Sequence, residues 1–262
     1  PTGSLSQYWR NRDDIVSLKF DAIDFSGVTN LGVTFYDCDS LTSFPSGLDL
    51  SNVTSLNLAF TSCGSLTSFP SDVDVSNVTN FQEVFKACAL TAFPALDVSS
   101  GTNFIEAWKD NTALTSFPAT TFSTDADDDI DFTSAWRQCT GLTSFPASNL
   151  SRGTSFSTTW KGNTAMTSFG ACTFSTHADD DINFTGAWEG CTQLESFPAL
   201  NLSRGTNFTD AWRECWDVSF TSFPAVTFSD TASDDINFAN AWRSCNKLTS
   251  FPALEFSRGT NF

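Results

Sequence analysis

The sequence has little of several residue types, and each scarcity excludes a class of protein. Its 262 residues include one Met, one His and two Tyr, and 13 basic residues stand against 30 acidic ones. The resulting charge of −17 would repel a phosphate backbone, so we expect no nucleic-acid partner. No apolar stretch approaches the ~20 residues that a membrane-spanning helix needs, so we predict no membrane insertion in this segment.

Signatures of common active sites are also missing. The sequence contains no nucleophile elbow, no phosphate-binding glycine loop and no zinc motif. Its one histidine, His177, lies in T-H-A-D-D-D, and the equivalent residue of the related loop T-D-A-D-D-D is Asp125. A site that accepts either residue is best interpreted as a polar loop position. We therefore predict a protein that is not an enzyme and has no organic cofactor.

Phenylalanine and tryptophan are abundant instead, and their spacing reveals a repeat. Another aromatic residue precedes most members of one phenylalanine series by nine residues, and an apolar residue stands four residues further ahead. The motif is F-x-x-x-W-x-x-C-x-x-L-T-S-F-P-A, followed by a variable loop. The phenylalanines that define the frame are Phe44, Phe69, Phe93, Phe117, Phe145, Phe169, Phe197, Phe223 and Phe251.

The motif predicts the local structure of each repeat. Aromatic residues at i and i+4 lie on one face of a short helical turn, and L-T-S-F has the composition of a short strand. Strands that recur in one direction pair in parallel through right-handed crossovers. We predict an α/β repeat fold, a right-handed leucine-rich-repeat-like solenoid of about ten rungs. A parallel sheet would form one face and short helical turns the other, and stacking would bury the aromatic residues.

The repeat also predicts how the chain is divided. Residues 1–30 are expected to form a divergent, capping-like first rung, because Leu5, Trp9 and Ile15 fall at the repeat's offsets. Residues 31–262 are interpreted as nine repeats of 24–28 residues, cut at the start of a further one. Since the chain begins with proline and stops within a repeat, we expect a longer parent protein.

Two segments carry a family resemblance. The segment S-N-V-T-S-L-N-L-A-F-T-S-C-G-S-L-T-S at 51–68 and the segment S-N-V-T-N-F-Q-E-V-F-K-A-C at 76–88 resemble the BspA-like leucine-rich repeats of bacterial surface proteins and lipoproteins. This chain departs from that pattern by using Phe or Leu where the family has Met, and Trp from Trp108 onward. The resemblance implies surface exposure, adhesion and host contact, and similar repeats occur in phage structural proteins.

Three functions are compatible with these observations. The leading hypothesis is a non-enzymatic extracellular, cell-surface or virion-surface protein that binds a protein or polysaccharide. A structural subunit that binds copies of itself and assembles into a fibre, shell or appendage is the alternative. A third hypothesis is ice binding, because the recurring T-S pairs would form hydroxyl rows at ~4.8 Å spacing.

One column of cysteine and asparagine is predicted to be structural. Parallel side chains in adjacent rungs do not suit the dihedral angle of a disulfide, and three consecutive cysteines cannot all pair. We expect reduced thiols that bond to backbone groups at a buried corner. The column comprises Cys38, Cys63, Cys88, Asn111, Cys139, Asn163, Cys191, Cys215 and Cys245.

The loops after the predicted strands alternate in length and in charge. The longer loops are acidic, and the later short loops carry arginine in S-R-G-T, so stacking predicts a charge-alternating ridge. Calcium bound by the carboxylates is the competing explanation, although D-D-D-I lacks the glycine-spaced ligands of dedicated calcium loops. The arginines are Arg152, Arg204 and Arg258, and the aspartates are Asp127, Asp128, Asp129, Asp179, Asp180, Asp181, Asp234 and Asp235.

The tryptophans divide into two groups. Those in the repeat are expected to form a buried core column, with a carbohydrate-binding platform as the alternative interpretation. Trp216 falls outside the repeat, in the two-residue insertion W-D-V-S-F, and is the best candidate for an exposed aromatic side chain. Local packing is the competing interpretation of Trp216.

Overall fold

The computed structural model is a parallel β-solenoid of about ten turns. It describes residues 2–17, 25–125, 129–177, 181–229, 235–254, 256 and 258–262. We number the rungs from the first apolar residue of each repeat. Rungs 1 to 10 span 5–30, 31–55, 56–80, 81–103, 104–131, 132–155, 156–183, 184–207, 208–237 and 238–261.

The strands are short and all of their pairings are parallel. The largest sheet has six strands in the order β12-β11-β10-β9-β6-β3, and three two-stranded sheets pair β1 with β2, β4 with β7, and β5 with β8. The strands are β1 (Thr2–Ser4), β2 (Gly27–Asn30), β3 (Ile130–Asp131), β4 (Ser144–Phe145), β5 (Asn149–Leu150), β6 (Gly153–Ser155), β7 (Ser168–Phe169), β8 (Thr173–Phe174), β9 (Ile182–Asn183), β10 (Gly205–Asn207), β11 (Ile236–Asn237) and β12 (Gly259–Thr260).

The L-T-S-F segments form less sheet than the sequence predicted. The six-stranded sheet lies instead just before the first aromatic residue of each rung, whereas L-T-S-F pairs mostly through single bridges such as Ser43 with Ser68. Proline after the phenylalanine lacks an N–H and ends the ladder. Glycine replaces that proline only at Gly170, whose N–H donates to the carbonyl of Phe145 at 2.8 Å, and there β4 and β7 form.

The predicted helical turns are wrong. The described part of the chain contains no α-helix, and so none that could cross a membrane. In the segment between the two aromatic positions, alternate N–H groups leave their own rung. Val33, Phe35 and Asp37 donate to carbonyls of the next rung at 2.8–2.9 Å. A helix would consume those donors within the segment, leaving none to hold the neighbouring rung.

A left-handed residue in each turn produces this alternation. Two residues per rung, four apart, have positive φ, such as Val33 at 60° and Asp37 at 58°. Each closes a tight turn, as when the N–H of Thr34 donates to the carbonyl of Leu31 at 3.1 Å. Only Gly162, Gly186 and Gly190 among these positions are glycine. The left-handed conformation costs other residues roughly 1–2 kcal/mol, and the inter-rung hydrogen bonds offset it.

The core consists of aromatic columns that run along the stack. Rings of one column stack nearly parallel, as in Trp108 and Trp136, whose centroids are 5.1 Å apart. A phenylalanine from the L-T-S-F segment meets such pairs edge-on, and Phe117 lies 5.0 Å from both indoles. Long loops add a further ring, since Phe122 lies edge-on to Phe104 and Phe132. This herringbone packing matches the geometry that aromatic pairs prefer.

We predict that Gly190→Ala destabilises the protein by about 1 kcal/mol, because its φ is +72° while an added Cβ would meet no atom closer than 3.7 Å. Gly64→Ala is the control at an ordinary φ, where an added Cβ would meet the exposed Asp39 carboxylate at 3.3 Å. Because that side chain can move aside, the variant should be neutral or stabilising by up to about 1 kcal/mol. Urea unfolding followed by circular dichroism gives both free energies. Equal effects at the two positions would contradict the left-handed turn.

Candidate functional site

The L-T-S-F segments form one extended polar surface, here called the strand face. Its leucine and phenylalanine side chains point into the core, and its Thr-Ser pairs point outward. The rows comprise Thr42, Ser43, Thr67, Ser68, Thr91, Thr115, Ser116, Thr143, Ser144, Thr167, Ser168, Ser196, Thr221, Ser222, Thr249 and Ser250. Ala92 and Glu195 interrupt them. Apart from Glu195, the two rows carry no charge.

Threonine hydroxyls on the strand face are used in the ladder. The hydroxyls of Thr115 and Thr143 each donate to the carbonyl of the threonine one rung earlier at 3.2 Å, and Thr249 does the same to Thr221. The same carbonyls also accept the backbone N–H of these residues. The threonine row therefore offers solvent mainly acceptor oxygens. In the serine row Ser222 and Ser250 also donate to backbone carbonyls, at 3.5 Å, and donors are available on the other serines.

The cysteine column lies at a buried corner beside the second aromatic position. All eight cysteines are free, and seven of them donate their thiol to a backbone carbonyl of the preceding rung. Cys139, for example, lies 3.1 Å from the carbonyl oxygen of Trp108. Cys172 is outside the column and donates to Pro146 at 3.5 Å.

Burial makes these thiols unreactive. Desolvation raises the pKa of Cys63, Cys139 and Cys191 to about 12, and a smaller opposing effect comes from a backbone hydrogen bond. Thiolate, rather than thiol, is the nucleophile and the metal ligand. At neutral pH the column is therefore protonated, and its chemistry is that of a small apolar residue with a weak donor.

The two asparagines of the column have different environments. The amide nitrogen of Asn111 donates to the carbonyls of Phe85 and Trp108 at 2.6 and 2.9 Å, and its oxygen accepts the N–H of Leu90. Both amide atoms of Asn163 are buried without a hydrogen-bond partner among the described residues. The rung before Asn111 has a corner that is one residue shorter, C-A-L rather than C-x-x-L, which leaves the N–H of Leu90 available.

A second polar column, which the sequence reasoning missed, precedes the first aromatic position. The side-chain oxygen of its Asn or Asp accepts a hydrogen bond from the N–H two residues later. Asn80 accepts from the N–H of Gln82 at 3.0 Å, and Asp131 accepts from that of Thr133 at 2.8 Å. Each such bond satisfies a donor at the entry to the turns. The recurring T-N-F tripeptide was the available signal. The other members with this bond are Asn30, Asn103, Asn183, Asn207 and Asn237.

Two arginines of the predicted ridge each lie near one carboxylate. Arg204 lies 3.9 Å from the carboxylate of Asp181, and Arg258 lies 4.0 Å from that of Asp235. Asp129 is exposed. Among the described residues, no group of three His, Cys, Asp or Glu side chains could hold a metal ion. The remaining predicted ligands lie outside the described residues, namely Asp127, Asp128, Asp179, Asp180 and Asp234.

Arg152 and the one histidine of the chain share the loop surface. Together with five hydroxyl-bearing residues and Phe174, they line an open groove of about 580 Å³. His177 is exposed, and its backbone N–H donates to the hydroxyl of Ser175 at 3.1 Å. The groove thus presents hydroxyls and two basic side chains to solvent.

A column of ion pairs, here called the charge zipper, lies on the turn side of the rungs, and the sequence analysis did not predict it. The residue after the second aromatic position is basic in most rungs. Ion pairs with acidic residues of the same or a neighbouring rung form at Lys86, Lys109, Lys161 and Arg213. Lys86 bridges Glu83 and Glu106 at 2.8 and 2.7 Å. Burial opposes the charge of Glu106, but its bonds to Lys86 and Lys109 outweigh burial and lower its pKa. The zipper is a pairing between rungs rather than a free basic surface.

Trp216 is the one exposed tryptophan of the eight, with a relative exposure of 46%. Val218 beside it is 72% exposed. The tryptophans of the repeat form the predicted column, and Trp108, Trp136, Trp160, Trp188 and Trp212 are fully buried. Their indole N–H groups, like that of Trp242, have no hydrogen-bond partner among the described residues.

Comparison with known proteins agrees with the resemblance. Residues 3–116 match a family described as Mycoplasma protein of unknown function, DUF285. No curated protein matches the chain. A leucine rich cell surface protein from Faecalibacterium prausnitzii is similar at 16% identity and a TM-score of 0.38, over 95% of this chain and 78% of that one. A leucine-rich repeat protein from Bacteroides ovatus is similar at 14% identity and a TM-score of 0.32, over 92% and 78%.

The family match over residues 3–116 confirms the predicted resemblance to BspA-like leucine-rich proteins. The family match includes residues 51–88, where the quoted motifs lie, and covers less than half of the 262 residues.

We predict opposite effects of cysteine at the two asparagines. Asn163→Cys should stabilise the protein by about 1–2 kcal/mol, because it removes an unpartnered buried amide. Asn111→Cys should destabilise it by a similar amount, about 1–2 kcal/mol, because three hydrogen bonds are lost. Denaturant unfolding under reducing conditions measures both variants. Changes of the same sign would show that the two amides have equivalent environments.

The arginine ridge predicts a salt-sensitive and metal-insensitive melting temperature. Each exposed pair should contribute no more than ~1 kcal/mol, and added salt should weaken it. Arg204→Gln should lower the melting temperature at low salt and have less effect at high salt. Thermal melts with EDTA and with calcium provide the competing measurement. A large rise with calcium that Arg204→Gln leaves intact would favour carboxylate-bound metal over the ridge.

Proposed function

We propose that this chain, a repeat solenoid resembling BspA-like leucine-rich surface proteins, is displayed at a cell surface and binds another macromolecule along its strand face. The observation that carries the proposal is the pair of outward Thr-Ser rows, which continue from rung to rung with one charged interruption at Glu195. Binding without catalysis is supported by the protonated thiols and by the open grooves of the described surface.

The dimensions of the strand face suit an extended partner. Parallel strands repeat every ~4.8 Å, so nine or ten rungs present hydroxyls over a length on the order of 40 Å. A solenoid of this kind offers a long, shallow and repetitive surface. A small metabolite would contact only one or two rungs of it. An elongated protein segment or a polysaccharide could bond to many rungs at once.

Hydrogen-bond directions separate this function from ice binding. The hydroxyls of Thr115, Thr143 and Thr249 donate to carbonyls of the sheet, so their protons are not free to order water. What remains is a surface rich in acceptors with donors on serine, which suits a partner that brings its own donors. Amides and sugar hydroxyls both meet that requirement.

We predict that Ser144→Arg combined with Ser168→Arg abolishes binding at the strand face. Both residues are exposed and lie opposite each other in adjacent rungs, so two long charged side chains would cover the rows. The matched control is Asn149→Arg combined with Thr173→Arg, two exposed residues that pair in the same way between adjacent rungs on the loop side. Binding is measured by biolayer interferometry against immobilised collagen, laminin, mucin and neutral polysaccharides.

Loss of binding in the first double variant but not in the second supports the strand face. Equal retention by both variants would place the binding surface elsewhere. If the wild-type chain binds none of these probes but scatters light as a growing polymer, self-assembly replaces macromolecular binding as the function.

A further inference from the structure

The corner that holds Trp216 differs from the corresponding corner of every other rung. In most other rungs the cysteine or asparagine of the column is followed by a short turn that leads directly to the buried apolar residue, as when the N–H of Leu194 donates to the carbonyl of Cys191 at 3.1 Å. In rung 9 the equivalent bond joins the N–H of Phe220 to the backbone carbonyl of Asp217 at 3.2 Å. The turn has therefore moved by two residues, and the inserted residues Trp216 and Asp217 bulge outward.

The insertion leaves the core unchanged. Cys215 is 1% exposed and still donates its thiol to the carbonyl of Trp188 at 3.2 Å, while Phe220 is fully buried where other rungs have leucine. Asp217 closes the bulge by accepting the N–H of Ser219 at 2.7 Å. Trp216 is thus not needed to fill a gap. Its exposed ring is the one aromatic feature that the insertion adds to the surface, beside the partly exposed carboxylate of Asp217.

The ring face of Trp216 is available to a ligand. Its ring makes no aromatic contact with any described residue, whereas each of the other seven tryptophans stacks on or meets another ring. Neighbouring rungs place Thr192 and Asn246 at the equivalent position after the cysteine. The residues at the equivalent position on either side are therefore polar and uncharged, and the next Thr-Ser pair, Thr221 and Ser222, follows five residues later in the sequence.

We propose that Trp216 is a stacking platform for a sugar ring, and that the polymer on the strand face is a neutral polysaccharide. This inference rests on the proposed function and names its partner class. An indole packs against the C–H face of a sugar, while its N–H and the neighbouring hydroxyl and amide groups bond to the sugar hydroxyls. The serine row supplies donors and the threonine row acceptors for the following sugar units.

Charge and area favour this partner over two others. The net charge of −17 repels acidic polysaccharides, and the uncharged rows offer them no compensating cations. A stable protein interface needs roughly 800 Å² per partner with an apolar centre, which Trp216 and Val218 alone do not provide. One aromatic side chain beside a hydroxyl array is instead suited to a chain of sugar rings.

Affinity electrophoresis of the whole chain in native gels tests the proposal. The gels contain hydroxyethylcellulose, galactomannan, xyloglucan or soluble starch, with alginate as the acidic comparison. We expect at least one neutral polymer to slow the chain and alginate to leave it unaffected. Trp216→Ala should weaken that binding about tenfold, as expected for one lost stacking contact, and Trp216→Phe should retain most of it.

Two controls keep the result interpretable. Val218→Ala removes the neighbouring apolar side chain and should leave the retardation unchanged, because the sugar stacks on the indole. Deletion of Trp216 and Asp217 restores the C-x-x-F corner and should behave like Trp216→Ala. Thermal melts of each variant report whether the solenoid is intact, and we expect little change because Trp216 lies outside the core.

The outcomes separate this inference from the proposed function. Wild-type retardation that Trp216→Ala leaves unchanged but Ser144→Arg with Ser168→Arg removes would overturn the platform and keep the strand face. Equal losses in Val218→Ala and Trp216→Ala would indicate an apolar protein contact and overturn the sugar assignment. Absence of retardation in every neutral polymer would also overturn it, whether or not the strand face binds one of the immobilised proteins.

Discussion

Each rung is held to the next by backbone N–H groups that leave their own segment. In the turns between the two aromatic positions, every second N–H points along the stack, and its carbonyl partner belongs to the following rung. These bonds set the rung separation and force equivalent residues into register. The rest of the structure depends on that register, because any side chain repeated at one position becomes a column with a spacing near 5 Å.

The register explains which side chains can be accommodated at each position of the repeat. Aromatic rings tolerate a separation of 5–6 Å by stacking, and edge-on phenylalanines fill the space between them. Cysteine is suited to the buried corner because its thiol donates to the carbonyl of the preceding rung. It has no second polar group that would be buried without a partner. Asparagine at that corner needs a matching donor, which Asn111 receives from Leu90 and Asn163 lacks. Lys86 and Glu106 show the same principle on the surface, where opposite charges pair between rungs.

The register also tolerates local insertions and substitutions, and we expect functional residues to lie at those positions. The loop length varies by four residues between rungs, and Gly170 in place of proline adds a strand pair, yet the core columns continue. The insertion at Trp216 follows the same rule, because Cys215 and Phe220 keep their buried places. Departures from the repeat are thus confined to corners and loops, where an added side chain meets solvent rather than a neighbouring rung.

The sequence by itself determined the periodicity of this protein. Spacing of aromatic, cysteine and T-S positions predicted stacked parallel rungs. The outlying position of Trp216 made it the best candidate for an exposed aromatic side chain, but local packing remained the competing interpretation until the structure showed the residue exposed. The tertiary structure decided how each rung is built. Spacing of i and i+4 is shared by a helical turn and by two successive left-handed turns, so F-x-x-x-W could not distinguish them. The choice depends on where the N–H groups of residues such as Val33 and Phe35 find acceptors, and those acceptors belong to the next rung. The strand location and the unequal environments of Asn111 and Asn163 were likewise decided between rungs, because no single repeat contains both hydrogen-bond partners.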